Sequence, residues 1–126
     1  MAILLQAQVT DQIIGAAIEV HRGVGPGLLE SAYREFLVDQ LDFAGLRVER
    51  EKPVAVTFHS RTIECAYRAD LIVNDSVLVE LKAVEKLLPV HQAQALTYMR
   101  LARLRVGLLI NFNAPKLIEG LRRLVL

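Results

Sequence analysis

The sequence predicts an α/β fold, a mixed four-stranded sheet flanked by helices. Three observations lead there. Apolar residues recur at helical spacing in four stretches: near the start, from about 26 to 44, from about 90 to 103, and at the end. Between the second and third stretches lie alternating, β-branched runs separated by short turn signals, which read as three antiparallel strands. A fourth apolar run, Arg105 to Asn113, follows the third helical stretch. The third strand, that helix and this run then form a βαβ crossover, expected to be right-handed and parallel.

Taken in order, Val9-Thr10-Asp11-Gln12 supplies an N-cap signal, and Ile13, Ile14, Ala17, Ile18 and His21 form the stripe of a first helix from about Asp11 to Arg22. Gly23 and Gly25 end it. His21 closes the stripe and reads first as a histidine at the core edge, with a place beside a metal site as the alternative. The second helix opens on Gly25-Pro26-Gly27, where Pro26 suits a first turn, and runs to about Ala44 before Gly45. Gly27, Glu30, Tyr33 and Leu37 lie close to one line on its surface. The glycine lets something approach the backbone, and Glu30 is placed to point at it. Pro53 confines the first strand to a sheet edge or a bulge. His59-Ser60-Arg61 turns the chain, and Thr62 to Val73 returns as the second strand, with Cys65 expected as a small buried residue. The third helix, about Val90 to Arg103, carries His91, Gln94, Tyr98 and Leu101 on one stripe. Ala114-Pro115 then opens a last helix, Lys116 to about Leu124, with Leu117, Leu121 and Leu124 inward.

Composition narrows the function classes. A chain of 126 residues is sized for one domain. The apolar share of 53% is high and suggests a buried interface between copies, a homodimer. No run of about 18 apolar residues free of charge exists, which argues against a membrane span. Met1 to Gln6 lacks a basic segment before its apolar run, so no signal peptide is expected and a cytoplasmic address follows. The single cysteine excludes an internal disulfide and a thiolate zinc cluster. A net charge of +1 supplies no global field for nucleic acid, although arginine, the better fork for phosphate, outnumbers lysine.

Chemistry concentrates in the second and third strands. Tyr67 to Val73 and Ser76 to Val84 flank Asn74-Asp75 as a hairpin, and along the second run Leu78, Glu80 and Lys82 share one face. An acid and a lysine thus stand inside an apolar strand, where an unpaired charge costs several kcal/mol, in order of magnitude, without a partner or metal. A solvated Glu-Lys pair is the plain alternative. Register decides whether Asp70 joins them. A two-residue turn sets Asp70 opposite Val79; a three-residue loop, Asn74 to Ser76, sets it opposite Glu80, and the longer loop is expected.

This order of elements, with an aspartate late in the second strand and Glu80-Leu81-Lys82 in the third, resembles the PD-(D/E)xK nuclease superfamily and its restriction-endonuclease-like αβββαβ core. The chain also resembles a small bacterial family named for a GxxExxY motif, read here as Gly27-Leu28-Leu29-Glu30-Ser31-Ala32-Tyr33, with further matching blocks at 14–21, 67–70, 79–84 and 107–112. The resemblance implies one nuclease-like domain over residues 1–126. It implies a metal site of Asp70, Glu80 and the Leu81 carbonyl, with Glu30 direct or through water. Lys82 and Gln94 would join these acids in catalysis, Gln92 being the runner-up for the glutamine. Tyr33, Tyr98, His21 and Arg68 would face substrate. Ala69 stands where the superfamily's name has proline. Mg²⁺ or Mn²⁺ is the implied cofactor, as hard oxygen ligands suit. Nucleic acid is the implied partner, DNA before RNA, and phosphodiester hydrolysis the implied reaction. The alternatives are a non-catalytic binding or assembly module on the same fold and a hydrolase of a small phosphorylated substrate.

Overall fold

A computed structural model describes residues 6–126; residues 1–5, on which the signal-peptide reading rests, lie outside the described residues. The elements are α1 (Ala7–Val24), α2 (Glu30–Phe43), β1 (Val48–Phe58), β2 (Arg61–Val73), β3 (Val77–Lys82), α3 (Pro89–Ala102), β4 (Val106–Asn111), a short 3-10 turn (Leu117–Gly120) and β5 (Leu121–Val125). The strands form one sheet in the order β1-β2-β3-β4-β5. Every neighbouring pair is antiparallel except β3 and β4, which the α3 crossover makes parallel. Pro53 lies on β1, an edge strand, which is where a sheet accommodates proline.

Two apolar layers hold this sheet. On one face Ile13, Ala17 and Val20 of α1 and Tyr33, Leu37 and Leu41 of α2 pack against Val77, Val79 and Leu81. On the other, Ala95 and Met99 of α3 cover Leu78, Leu109 and Ile72. The period-two alternation of β3 therefore has apolar targets on both sides, which is why the strand carries a nearly continuous apolar run. Among the described residues no helix is long and apolar enough to cross a membrane.

Three sequence expectations are corrected. The last segment is not a helix: after one 3-10 turn, residues 121–125 pair with β4 as a fifth strand. Leu121 and Leu124 fit either period, but β4 is buried along its whole length, and its outer N–H and C=O groups need a partner that only a strand supplies. The chain turns into that strand at Gly120, where an added Cβ would press on the Asn111 carbonyl oxygen and the Ala114 Cβ. Gly120→Ala is expected to destabilise the protein by about 1–3 kcal/mol in a urea titration, because backbone must shift.

The second correction concerns α2, which begins at Glu30, four residues after Pro26. Gly25 and Gly27 hold φ of 70° and 103°, values that exclude them from a right-handed helix. Third, Cys65 is exposed. Pairing between β2 and β3 covers only Leu71 to Val73, whereas β1 and β2 stay paired out to Phe58 and Arg61. Residues 54–67 thus form a two-stranded arm beyond β3, and Cys65 has no layer above it.

Candidate active site

The β2–β3 connection is the three-residue loop Asn74 to Ser76: Val73 pairs with Val77 and Leu71 with Val79, which brings Asp70 level with Glu80. Asn74 and Asp75 take left-handed φ of 51° and 52°, a conformation asparagine and aspartate tolerate better than most residues. Beyond Leu71 the ladder stops and side chains take over its bonds. The Leu81 N–H donates to Asp70 Oδ2 at 2.9 Å, and the Asp70 N–H donates to Glu80 Oε1 at 3.3 Å. The two strands therefore part where the two acids lie.

Alternation in β2 slips at this point. Tyr67 and Ala69 pack on the α3 side and Leu71 and Val73 on the α1/α2 side, while Ile72 returns to the α3 side. Asp70 occupies the slip, and Glu51, the β1 residue that would face it, holds a left-handed φ of 50°. Such irregularities in a sheet re-aim a side chain. Asp70 thereby reaches α2, where Arg34 Nη1 stands 3.6 Å from its Oδ1.

Glu80 is only 6% exposed. Burial raises its carboxyl to about 8, and the negative charge of Asp70 and a hydrogen bond between the two side chains add to the rise. Glu30 opens α2 at its positive N-terminal end. Its carboxyl is also raised, by burial first and Asp70 second, while Lys82 and Arg34 pull it down. Glu30, Asp70, Glu80, Lys82 and Arg34 are thus electrostatic neighbours.

Backbone bonds hold the frame around them. Lys82 O accepts the Phe112 N–H at 2.9 Å. Asn111, 3% exposed, clasps Val84 through both its amide atoms, at 3.0 and 2.9 Å. Asn113 Oδ1 accepts the Gly27 N–H at 3.1 Å. The loop before Glu30 is thereby tied to the turn that follows β4, the strand beside Lys82.

Tyr33, expected to face substrate, is instead fully buried and stacked on Phe112 at 4.6 Å between ring centroids. Its hydroxyl donates to Gly25 O at 2.6 Å and accepts the Leu28 N–H at 3.1 Å. The Gly27, Glu30, Tyr33 spacing therefore encodes a loop and its fastening, with Glu30 as the residue presented. Tyr33→Phe is expected to cost about 1–3 kcal/mol in chemical denaturation, since it orphans two backbone groups of that loop.

His21, also expected at the cleft, is 9% exposed, and its Nε2 lies 2.8 Å from Ala114 O. It fastens the end of α1 to the segment after β4 and lines a separate hollow with Ile18, Pro115 and Lys116, so the core-edge reading is the one the structure supports. Gln94 is exposed one turn before Tyr98, and among the described residues no hydrogen bond joins it to the acids. Gln92 lines another cleft, with Leu87, Leu88 and Arg122. Arg68 is exposed on β2 opposite Pro53.

Tyr98 stacks on Tyr67 with centroids 3.9 Å apart, and the Tyr67 hydroxyl donates to the Tyr98 carbonyl at 2.7 Å. Burial and then the charge of Glu80 raise the Tyr67 phenol above its ordinary value, which marks it as a neighbour of the acid pair. Sequence reasoning missed Tyr67, Arg34 and Glu51. For Arg34 a signal existed: it stands four residues after Glu30, one helical turn along the same face.

The donors are chemically suited to a hard divalent cation. Asp70 and Glu80 supply carboxylate oxygen, and a strand residue turns its N–H and C=O to the same edge, so the Leu81 carbonyl faces the gap its N–H faces. Two touching acids, one deeply buried, leave negative charge for such an ion to neutralise. Among the described residues no three His, Cys, Asp or Glu side chains group as a ligand set.

No curated protein and no solved structure matches the chain. A family model described as the PD-(D/E)XK nuclease superfamily matches residues 7–124, from the first residue of α1 to β5. That span takes in the parted strands with Asp70, Glu80 and Lys82, the α2 acid and the crossover helix. On that match over nearly its whole length, the chain belongs to the PD-(D/E)XK nuclease superfamily.

Proposed function

We propose that the chain is a single nuclease domain that hydrolyses phosphodiester bonds in nucleic acid, DNA before RNA, with Mg²⁺ or Mn²⁺. The observation that carries this reading is the buried contact of Asp70 and Glu80 where β2 and β3 part, with Lys82 on the strand face of Glu80. Asp70, Glu80 and the Leu81 carbonyl would hold the cation, with Glu30 reaching it through water. A divalent ion so held lowers the pKa of a bound water and offsets charge on the phosphate. Lys82 would keep its ammonium beside the attacked phosphate and stabilise the negative charge that develops there. Tyr98, braced by Tyr67, and the exposed Arg68 and Gln94 would line the path of the substrate strand.

The GxxExxY likeness refines this reading, because the fastening of the Gly25 to Leu28 loop by Tyr33 gives that motif a physical purpose. Exposed Phe43, Leu29 and Phe58 support a homodimer, which sedimentation would test. A free, exposed Cys65 fits a reducing, cytoplasmic location.

The deciding experiment incubates single- and double-stranded DNA and RNA with the protein in Mg²⁺, Mn²⁺ or chelator, comparing wild type with Asp70→Ala and Lys82→Ala. Cleavage that needs the cation and is lost in both variants is expected. Activity unchanged in both would overturn the proposal.

A further inference from the structure

The acid cluster already contains a cation of its own. Arg34, on the second turn of α2, lies between two carboxylates: its Nη1 is 3.6 Å from Asp70 Oδ1 and its Nη2 is 3.4 Å from Glu51 Oε1. The Arg34 and Asp70 side chains are each only 16% exposed, whereas Glu51 is 57% exposed. Arg34 thus bridges an inner acid and an outer one.

Charge balance gives the bridge a meaning. Four carboxylates, Glu30, Glu51, Asp70 and Glu80, stand around two cations, Arg34 and Lys82. The acidic side chains outnumber the basic ones by two, an imbalance that suits a divalent ion. Asp70 Oδ2 is occupied by the Leu81 N–H and its Oδ1 faces the guanidinium, so an arriving ion must share Asp70 with a like charge only a few Å away.

Glu51 offers Arg34 an alternative partner, and the backbone there is arranged for it. A glutamate at φ 50° inside a strand is uncommon and strained, and such a conformation persists only where the surroundings hold it. That conformation falls opposite the slip at Asp70. A long, planar side chain with five donors can keep one carboxylate while releasing another.

We propose that Arg34 is the resident counter-ion of Asp70, and that on arrival of the divalent cation it passes to Glu51, setting the cation affinity of the site. The proposal rests on reading the acid pair as the cation site. Arg34 is a positioning residue in this scheme; it acts through Asp70.

Calorimetry with Mn²⁺ alone, on the full chain and at one fixed pH for every variant, tests it. Arg34→Gln is expected to bind Mn²⁺ about tenfold more tightly than wild type, because the competing charge is gone. Arg34→Lys, which keeps the charge, should stay within about threefold of wild type. Glu51→Gln should bind about fivefold more weakly, yet change affinity by less than about twofold when added to Arg34→Gln, because Glu51 acts through the arginine. Thermal melts establish that each variant is folded.

Mn²⁺ bound equally by wild type and Arg34→Gln would overturn the proposal alone, as would a Glu51→Gln effect of the same size in both backgrounds, or Arg34→Lys behaving like Arg34→Gln. Mn²⁺ bound by neither wild type nor Arg34→Gln would overturn the reading of the acid pair, and the proposal with it. Binding by Arg34→Gln alone would support both.

Discussion

Lys82→Ala is expected to lower single-turnover DNA cleavage by about 10²–10³-fold while leaving Mn²⁺ binding intact or slightly tighter. The strand places Lys82 two residues from Glu80 on the same face, half-buried, with its carbonyl held by the Phe112 N–H and its charge felt by Glu30. Removing a cation beside the proposed cation site cannot weaken the ion's hold electrostatically. In the proposed mechanism, what is lost is stabilisation of charge that grows on the phosphate in the transition state. Asp70→Asn should behave differently: it keeps an acceptor for the Leu81 N–H but halves the acid pair, so Mn²⁺ affinity and cleavage fall together. Rapid-quench kinetics at saturating Mn²⁺, paired with calorimetry, separates the two. A Lys82→Ala protein that cleaves like wild type would remove the lysine from the chemistry.

The second large effect is a dependence on pH set by Glu80. Without a divalent ion its carboxyl lies at about 8 in the folded chain, against an ordinary 4.5. Between those values the folded state binds more protons than the unfolded state, so this group's stabilising contribution is full below 4.5 and is lost as pH rises through about 8. Metal-free protein should therefore melt at lower temperature as pH increases across that window. Glu80→Gln should flatten the dependence and be more stable than wild type at the alkaline end, by about 1–3 kcal/mol, because the buried like-charge contact with Asp70 is gone. Cation binding carries the opposite sign. A cation needs the ionised carboxylate, so below 8 it must displace a proton, and Mn²⁺ affinity should climb with pH up to about 8 and level off above it. Melting curves with and without Mn²⁺ would show the added ion stabilising most at the alkaline end. Stability independent of pH in the metal-free protein would mean that Glu80 is ionised throughout.

Much of this site's geometry is legible in the sequence. Side-chain alternation put Glu80 and Lys82 on one face of β3, and the choice between a two- and a three-residue loop put Asp70 level with Glu80. Both follow from the period of a strand, which is local and rigid. Glu30 was legible through its spacing from Gly27 and Tyr33, although the reason is different: those residues build and fasten the loop before the helix, and Gly27 is not on it.

Other features depended on contacts between distant segments. Leu117, Leu121 and Leu124 satisfy a helical stripe, and nothing in that segment alone says that the buried edge of β4 would claim it as a strand. Cys65 sits in an apolar-looking run, yet β2 outlasts β3 and leaves it exposed. His21 could belong to any neighbouring surface until Ala114 met its ring.

The sequence by itself determined the mixed sheet, its parallel crossover and the acid-lysine set on β2 and β3, because periodicity and turn length are properties of consecutive residues. Only the tertiary structure decided that β2 slips at Asp70, that Glu51 takes a left-handed backbone opposite it, and that Arg34 comes between them from another element. Those features arise where a helix, an edge strand and a parted hairpin compete for one small volume of buried charge, and no stretch of consecutive residues contains all three.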